Sequence, residues 1–312
     1  MLQWTALRSR SGRLVRSLTG LNRGEFESLG KAFAKEFQNH CASWTCVKPS
    51  MRQRARGAGK KARLAPDDAL LLMLFYFRVY PTQDMLGLLF GGTQSWACKW
   101  VHRLTPVLEA TLGKKQTLPV RGGRKPVSTL KELFKICPEL VFIIDGTERP
   151  TQRPKDSELQ KSRYSGKKKR HTIKNTVVSD ASGRRVCFLG KTFPGSTHDK
   201  KMADTEPIHF PDGSTLYQDT GYHGYMPPGI SQLLQPRKKK RHQPRSEEDK
   251  AYNREVSCTR VRVEHASGGI KRSRLVSDLY RNRKEGFEDT AMWVACGLHN
   301  FRSDMRTPLQ IP

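Results

Sequence analysis

The sequence predicts an α/β protein in which an all-helical N-terminal region precedes a domain built on a mixed sheet. Two observations carry this. Between residues 65 and 113 apolar residues recur at helical spacing, punctuated by helix-starting and helix-stopping residues. From about residue 137 the pattern changes to short runs rich in β-branched and aromatic residues, and 140–145, 172–179, 185–193 and 214–219 read as strands. The first of these, Leu140-Val141-Phe142-Ile143-Ile144, is apolar throughout and suits a strand buried on both faces.

Residues 1–64 form a basic arm with 14 Lys/Arg and three acids, Glu25, Glu27 and Glu36. Phe26, Leu29, Phe33 and Phe37 mark one amphipathic helix there. Arg52 to Arg63, with Gly57 and Gly59, reads as a flexible basic linker. In 65–113, Pro66 suits the first turn of an apolar helix running to Val79. Pro81-Thr82-Gln83 opens a short helix through Phe90, Gly91-Gly92 ends it, and Thr93 can cap a third helix from about Gln94 to Leu112. A short helix, a glycine turn and a longer helix is the outline of a helix-turn-helix. In the third helix Trp96, Trp100, Leu104, Val107 and Leu108 form an apolar stripe. Gln94, Ser95, Lys99, His102 and Arg103 take the polar positions and are the candidates for DNA contact.

Residues 114–136 read as a linker and 137–302 as the sheet-bearing domain, with 303–312 as a tail. Asp180-Ala181-Ser182-Gly183 is a hairpin turn between the second and third strands. Helical character returns from Glu247, with Val256, Val263, Ala266 and Ile270 on one stripe. A last helix, roughly 287–301, buries Phe287, Met292, Trp293 and Leu298.

Charge narrows the partner. In 312 residues, 57 Lys plus Arg face 29 Asp plus Glu, a formal charge of +28, which argues for a polyanion and most simply a nucleic acid. The longest apolar run, Ala69 to Phe77, stops at Arg78, well short of the ~20 residues that span a bilayer. Arg8, Arg10, Arg13 and Arg16 interrupt Leu2 to Leu21, so no secretory signal is expected. These features predict a cytoplasmic protein with no membrane partner, associated with the nucleoid when bound to DNA. Seven scattered cysteines, with Cys41 and Cys46 the closest pair, predict reduced thiols rather than a zinc site.

Against this basic background, three acids stand out. Asp145 follows the apolar strand, Asp219 follows Ser214-Thr215-Leu216-Tyr217-Gln218, and Glu264 lies in the helical stretch Arg260-Val261-Arg262-Val263-Glu264-His265. Acids at the ends of sheet strands sit where α/β active sites open. Gathered together they repel one another unless a cation is present, and Mg²⁺ (with Mn²⁺ as substitute) takes carboxylate and phosphate oxygens. Two ions per site would suit phosphodiester cleavage. Asp199, after Gly195-Ser196-Thr197-His198 at a strand-to-helix junction, is either a fourth acid near the metal or part of a helix cap. Lys167, Lys168, Lys169 and Arg170 stand before the second strand, where a phosphate backbone could lie. Arg260 and Lys271 share Glu264's helix face, Arg260 able to hold the glutamate and Lys271 to meet DNA. Arg237-Lys238-Lys239-Lys240-Arg241 is a further candidate for backbone contact.

Five ordered motifs resemble the DDE transposases of bacterial insertion sequences, in the insertion-sequence-five group, whose catalytic domain is related to Harbinger transposases. They are Asp145-Gly146-Thr147-Glu148-Arg149-Pro150, Tyr164 to Thr172, Pro194 to Lys200, Asp219-Thr220-Gly221-Tyr222 and Arg260 to His265. The resemblance spans about Leu18 to Arg302. It implies a ribonuclease-H-like catalytic domain, Asp145, Asp219 and Glu264 as metal-binding triad, and a helix-turn-helix that reads terminal inverted repeats. It also implies double-stranded element ends and target DNA as partners, and a homo-oligomer in the synaptic complex. The competing reading is a DNA-binding protein derived from a transposase, with catalysis lost. The three intact acids favour the enzyme.

Overall fold

The computed structural model describes residues 1–43, 64–123, 125–239 and 245–307. The chain divides into two compact units, Met1–Leu118 with Arg272–Leu275, and Pro119–Lys271 with Val276–Pro312.

The first unit is helical. In place of the single helix expected before residue 64, the described residues hold three: α1 (Trp4–Leu7), α2 (Gly12–Thr19) and α3 (Arg23–Ser43). The first two have four and eight residues, too few turns for a periodic pattern to show in a sequence. They are held by local bonds and packing instead. Ser11 caps α2 by accepting from the Leu14 amide at 3.3 Å, and Trp4 stacks on Phe26 of α3. Phe26, Leu29, Phe33 and Phe37 are buried along α3 as their spacing requires. Arg52 to Arg63 and Cys46 lie outside the described residues.

The longest apolar run becomes α4 (Pro66–Val79), in which every residue from Ala69 to Phe77 is buried. A helix apolar on all sides belongs in the middle of its unit. α5 (Gln83–Phe90) and α6 (Gln94–Lys114) complete the unit. Thr82 caps α5 through the Met85 amide, Thr93 caps α6 through the Trp96 amide, and Gly91 ends α5 at φ 72°.

Among the described residues the second unit has seven strands: β1 (Val120–Arg121), β2 (Val141–Pro150), β3 (Tyr164–Ser165), β4 (Arg170–Asp180), β5 (Val186–Pro194), β6 (Ser214–Tyr217) and β7 (Ile230–Leu234). Their order is β1-β5-β4-β2-β6-β7, with β3 paired to β4 alone. β2, β4 and β5 run antiparallel as a meander, whereas β6 and β7 run parallel to β2 and β1 parallel to β5. This is the mixed sheet that the ribonuclease-H-like expectation requires. The helices are α7 (Pro126–Ile136), α8 (Ser157–Arg163), α9 (Asp199–Thr205), α10 (Glu247–Lys271) and α11 (Phe287–Arg306). One core cluster joins Phe142, Ile144, Val178, Phe188 and Leu216 of the sheet to Leu133, Ala203, Phe210 and Tyr222.

Two features depart from the sequence reading. Residues 114–136 carry the end of α6, then β1 and α7, so most of the expected linker is structured. β2 does not end at Asp145 but continues to Pro150, because Gly146 through Pro150 keep pairing with Thr176 through Thr172 of β4. The β4–β5 hairpin forms as expected. The Asp180 carboxylate accepts from the Arg184 and Arg185 amides at 3.0 and 3.1 Å, and Gly183 takes φ 65°. A Cβ at Gly183 would lie 2.0 Å from the Arg262 carbonyl oxygen, so the turn also depends on glycine for space.

Arg149, almost fully buried on β2, ties the sheet to α11. Its guanidinium donates to Asn175 Oδ1 at 2.7 Å, Thr192 Oγ1 at 3.1 Å and the Glu288 carbonyl at 3.1 Å. The described cysteines are free thiols, with Cys137, Cys187 and Cys296 buried. Among the described residues no helix is long and apolar enough to cross a membrane.

Candidate active site

Parallel pairing of β2 with β6 sets Ile143 opposite Tyr217. Asp145 lies two residues further along β2 and Asp219 two residues past Tyr217, beyond the end of β6, and the two carboxylates are close enough to interact. β6 stops at Tyr217, and Asp219, still extended at φ −82°, caps a 3₁₀ turn at Thr220–Tyr222 through a 2.7 Å bond from the Thr220 amide. The pairing is electrostatically strained. Burial pushes the Asp145 carboxyl up to about 6; the Gly146 amide and Arg260 oppose the rise, and Asp199 and Asp219 add to it.

Arg260 of α10 brings a cation to these acids, its Nη1 3.5 Å from Asp219 Oδ1. The guanidinium therefore pairs with Asp219, not with Glu264 as the sequence suggested. Lys271, on the same α10 face, is held below its usual value first by burial. Asp145 and Glu148 oppose that shift and Lys168 adds to it, so all four groups share one neighbourhood. Glu264 falls between Arg260 and Lys271 on this stripe and is exposed, while Val263, Ala266 and Ile270 on the adjoining side are buried. Among the described residues no three His, Cys, Asp or Glu groups are gathered closely enough to enclose a metal ion. The structure thus joins Asp145 to Asp219 and leaves Glu264 on the facing stripe, outside the cluster.

Asp199 is the first residue of α9, whose N-cap position is His198 with no side-chain cap bond. Its Oδ1 lies 3.4 Å from Lys174 Nζ, and the same amine lies 3.2 Å from Glu148 Oε1. Sequence reading assigned no role to Lys174 or Glu148. The available signal was a lysine inside the otherwise apolar and small strand Thr172-Ile173-Lys174-Asn175-Thr176-Val177, where a charge needs a partner.

Two family models and two curated relatives match this chain. The DDE superfamily endonuclease family matches residues 144–300, and the helix-turn-helix of DDE superfamily endonuclease matches 62–114. The chain is 30% identical over 251 residues to the probable transposase for insertion sequence element IS702 of Microchaete diplosiphon, covering 80% of this chain and 85% of that one. The chain belongs to the DDE-type insertion-sequence transposase family. It is also 25% identical over 254 residues to the putative transposase for insertion sequence element IS112 of Streptomyces albus G, covering 80% of this chain and 86% of the relative. No solved structure matches it.

In this member of the transposase family, the helix-turn-helix match at 62–114 spans α4, α5 and α6. Trp100, Leu104, Val107 and Leu108 are buried as expected, and Trp96 only half-buried. Gln94, Ser95 and Lys99 are exposed at the start of α6, whereas His102 and Arg103 are half-buried. Gln94 Nε2 also donates to Gln83 Oε1 of α5 at 2.5 Å, linking the two helices. Lys167, Lys168, Lys169 and Arg170 are all exposed at the tip of the β3–β4 hairpin, where Ser165 Oγ accepts from the Lys168 amide at 3.1 Å. Arg237 is held by Asp249 at 2.8 Å and lies over the Tyr252 ring at 4.5 Å; Lys240 and Arg241 lie outside the described residues.

Proposed function

We propose that this chain is the transposase of an insertion sequence, binding the element's terminal inverted repeats and performing phosphodiester cleavage and strand transfer. The observation that carries the reading is the parallel run of β2 beside β6 up to Ile143 and Tyr217, after which Asp145 and Asp219 lie near enough to interact, in a strongly basic chain. The donor chemistry fits a hard dication. Both groups offer carboxylate oxygens; burial chiefly, with Asp199 and Asp219 adding to it, lifts Asp145 to about 6, and a cation would offset that cost. Asp145, Asp219 and, from the α10 stripe, Glu264 would hold two Mg²⁺ ions, or Mn²⁺ in their place. Bound there, such ions supply activation of the attacking oxygen and stabilisation of the leaving one.

The chain's own residues do the rest. Gln94, Ser95 and Lys99 present polar groups from the N-terminal turn of α6, the end of a recognition helix that reaches base edges, with His102 and Arg103 behind them. The exposed cations of the β3–β4 hairpin and Lys271, which shares the acids' neighbourhood, hold the phosphate backbone beside the acids. Bringing two element ends and a target together requires more than one copy, so the working form is a homo-oligomer on double-stranded DNA. Its place in the cell is with the DNA, in the cytoplasm on the nucleoid.

An oligonucleotide duplex carrying an element end tests this reading. The chain cuts that duplex in Mg²⁺ or Mn²⁺, is silent in EDTA, and joins the cut end to a second duplex. Binding of the end without cutting under every ion supplied would favour the DNA-binding derivative instead.

A further inference from the structure

Asp199 does not stand free beside the acid pair; it is wedged into the backbone that carries it. A Cβ placed on Gly146 would lie 2.8 Å from Asp199 Oδ1, and a Cβ placed on Gly221 would lie 3.0 Å from Asp199 Oδ2. Gly146 follows Asp145 directly and Gly221 comes two residues after Asp219. One carboxylate therefore lies against both acid-bearing segments, one oxygen on each, so closely that a side chain at either glycine would force it to shift. Lys174 fixes the carboxylate from behind. Its side chain is 12% exposed, and its Nζ lies 3.4 Å from Asp199 Oδ1, 3.2 Å from Glu148 Oε1 and 3.2 Å from the Thr197 carbonyl oxygen. Glu148 is held in turn by Thr172 Oγ1 at 3.2 Å.

We propose that Asp199 is a positioning residue: clamped by Lys174 and wedged between Gly146 and Gly221, it sets the separation of Asp145 and Asp219 and takes no ion itself. The proposal rests on the reading of Asp145 and Asp219 as the ion-holding acids. A ligand pair tolerates little error in spacing, because Mg²⁺ demands near-ideal octahedral geometry. A residue that fixes the spacing then governs cleavage without touching the reacting atoms.

Equilibrium binding of Mn²⁺ to the full chain, read by electron paramagnetic resonance, separates positioning from ligation. The Asp199→Asn chain keeps the shape of the wedge, and at saturation it holds as many ions as the wild type, while Asp145→Asn holds fewer. Single-turnover cutting of the end duplex falls about 10- to 100-fold in Asp199→Asn and in Lys174→Met. The Asp199→Asn/Lys174→Met double variant is no slower than the worse single, because both act through one carboxylate. Gly221→Ala, whose added methyl displaces Asp199 without changing any charge, reproduces the loss and covers the case in which an Asp199 variant does not fold. Loss of an ion in Asp199→Asn equal to that in Asp145→Asn would make Asp199 a ligand and overturn the proposal. So would wild-type cutting in Asp199→Asn, or additive losses in the double variant. Full ion occupancy in Asp145→Asn would instead remove the acid-site reading beneath it.

Discussion

Arg260 Nη1 lies 3.5 Å from Asp219 Oδ1, so a guanidinium flanks the acid pair from α10. The Asp219 side chain is 42% exposed, which keeps the pair's own contribution to stability within about 1 kcal/mol. Its consequence is competition, since Arg260 and a divalent cation are drawn to the same charge. Arg260→Gln is therefore expected to increase the rise in melting temperature that saturating Mg²⁺ gives the chain. A rise equal to or smaller than that of the wild type would show that the arginine and the ion do not compete.

Asp145 makes the metal-free fold pH-sensitive. Its carboxyl rises from 3.8 to about 6 on folding, chiefly through burial. A carboxyl with a raised folded-state value binds more protons folded than unfolded across that window, so it costs stability as pH climbs from about 4 through 6. Asp145→Asn removes the charge. In EDTA, it should be more stable than wild type at pH 8 by up to roughly 3 kcal/mol, taking ~1.4 kcal/mol per unit. That gain should fade toward pH 4. Urea denaturation at the two pH values measures it, and a gain independent of pH would mean that burial of the charge is not its source.

Much of this was legible in the chain, for identifiable reasons. The apolar run before Asp145, the Asp180–Gly183 turn and the Phe26-Leu29-Phe33-Phe37 stripe are local patterns, and each appears in the structure, except that Leu140, at φ 54°, precedes β2 rather than opening it. The nearness of Asp145 to Asp219, 74 residues away, is set by parallel register, which no local pattern records. The continuation of β2 past Asp145 has no apolar pattern to mark it, because Gly146-Thr147-Glu148-Arg149 is polar and Arg149 is buried through its bonds to Asn175 and Thr192 on β4 and β5. Sequence leaves the place of Asp199 open because its partner Lys174 lies 25 residues away on β4.

The start of α6 is the proposed place of sequence readout. Gln94, Ser95 and Lys99 are exposed there, and Thr93 fixes the helix end through the Trp96 amide. Exchanging the three for alanine should reduce the preference for element ends over random DNA, because base contacts specify while phosphate contacts position. Competition binding checks this. Unchanged preference would move the recognition element elsewhere, first to the basic arm before residue 64.

The β3–β4 hairpin tip should act on phosphates without regard to sequence. Lys167, Lys168, Lys169 and Arg170 are all exposed, and Lys168 is close enough to Lys271 to depress its amine. Each lost phosphate contact lowers the slope of log K against log salt by about 0.9, so the quadruple alanine variant should lose up to roughly 3–4 units. End and random DNA should weaken alike. An unchanged slope in a folded variant would return the hairpin tip to solvent.

The most direct test of the central claim compares cutting and binding in Asp145→Asn, Asp219→Asn and Glu264→Gln. Each removes one charge from the proposed ion-holding set, and Glu264 is the member that the structure leaves on the facing stripe of α10. Cutting of an end-containing duplex in Mg²⁺ should be abolished in all three, with affinity for that duplex nearly unchanged, since the lost stabilisation belongs to the transition state. Wild-type cutting in EDTA, or full cutting by any of the three variants, would contradict the assignment.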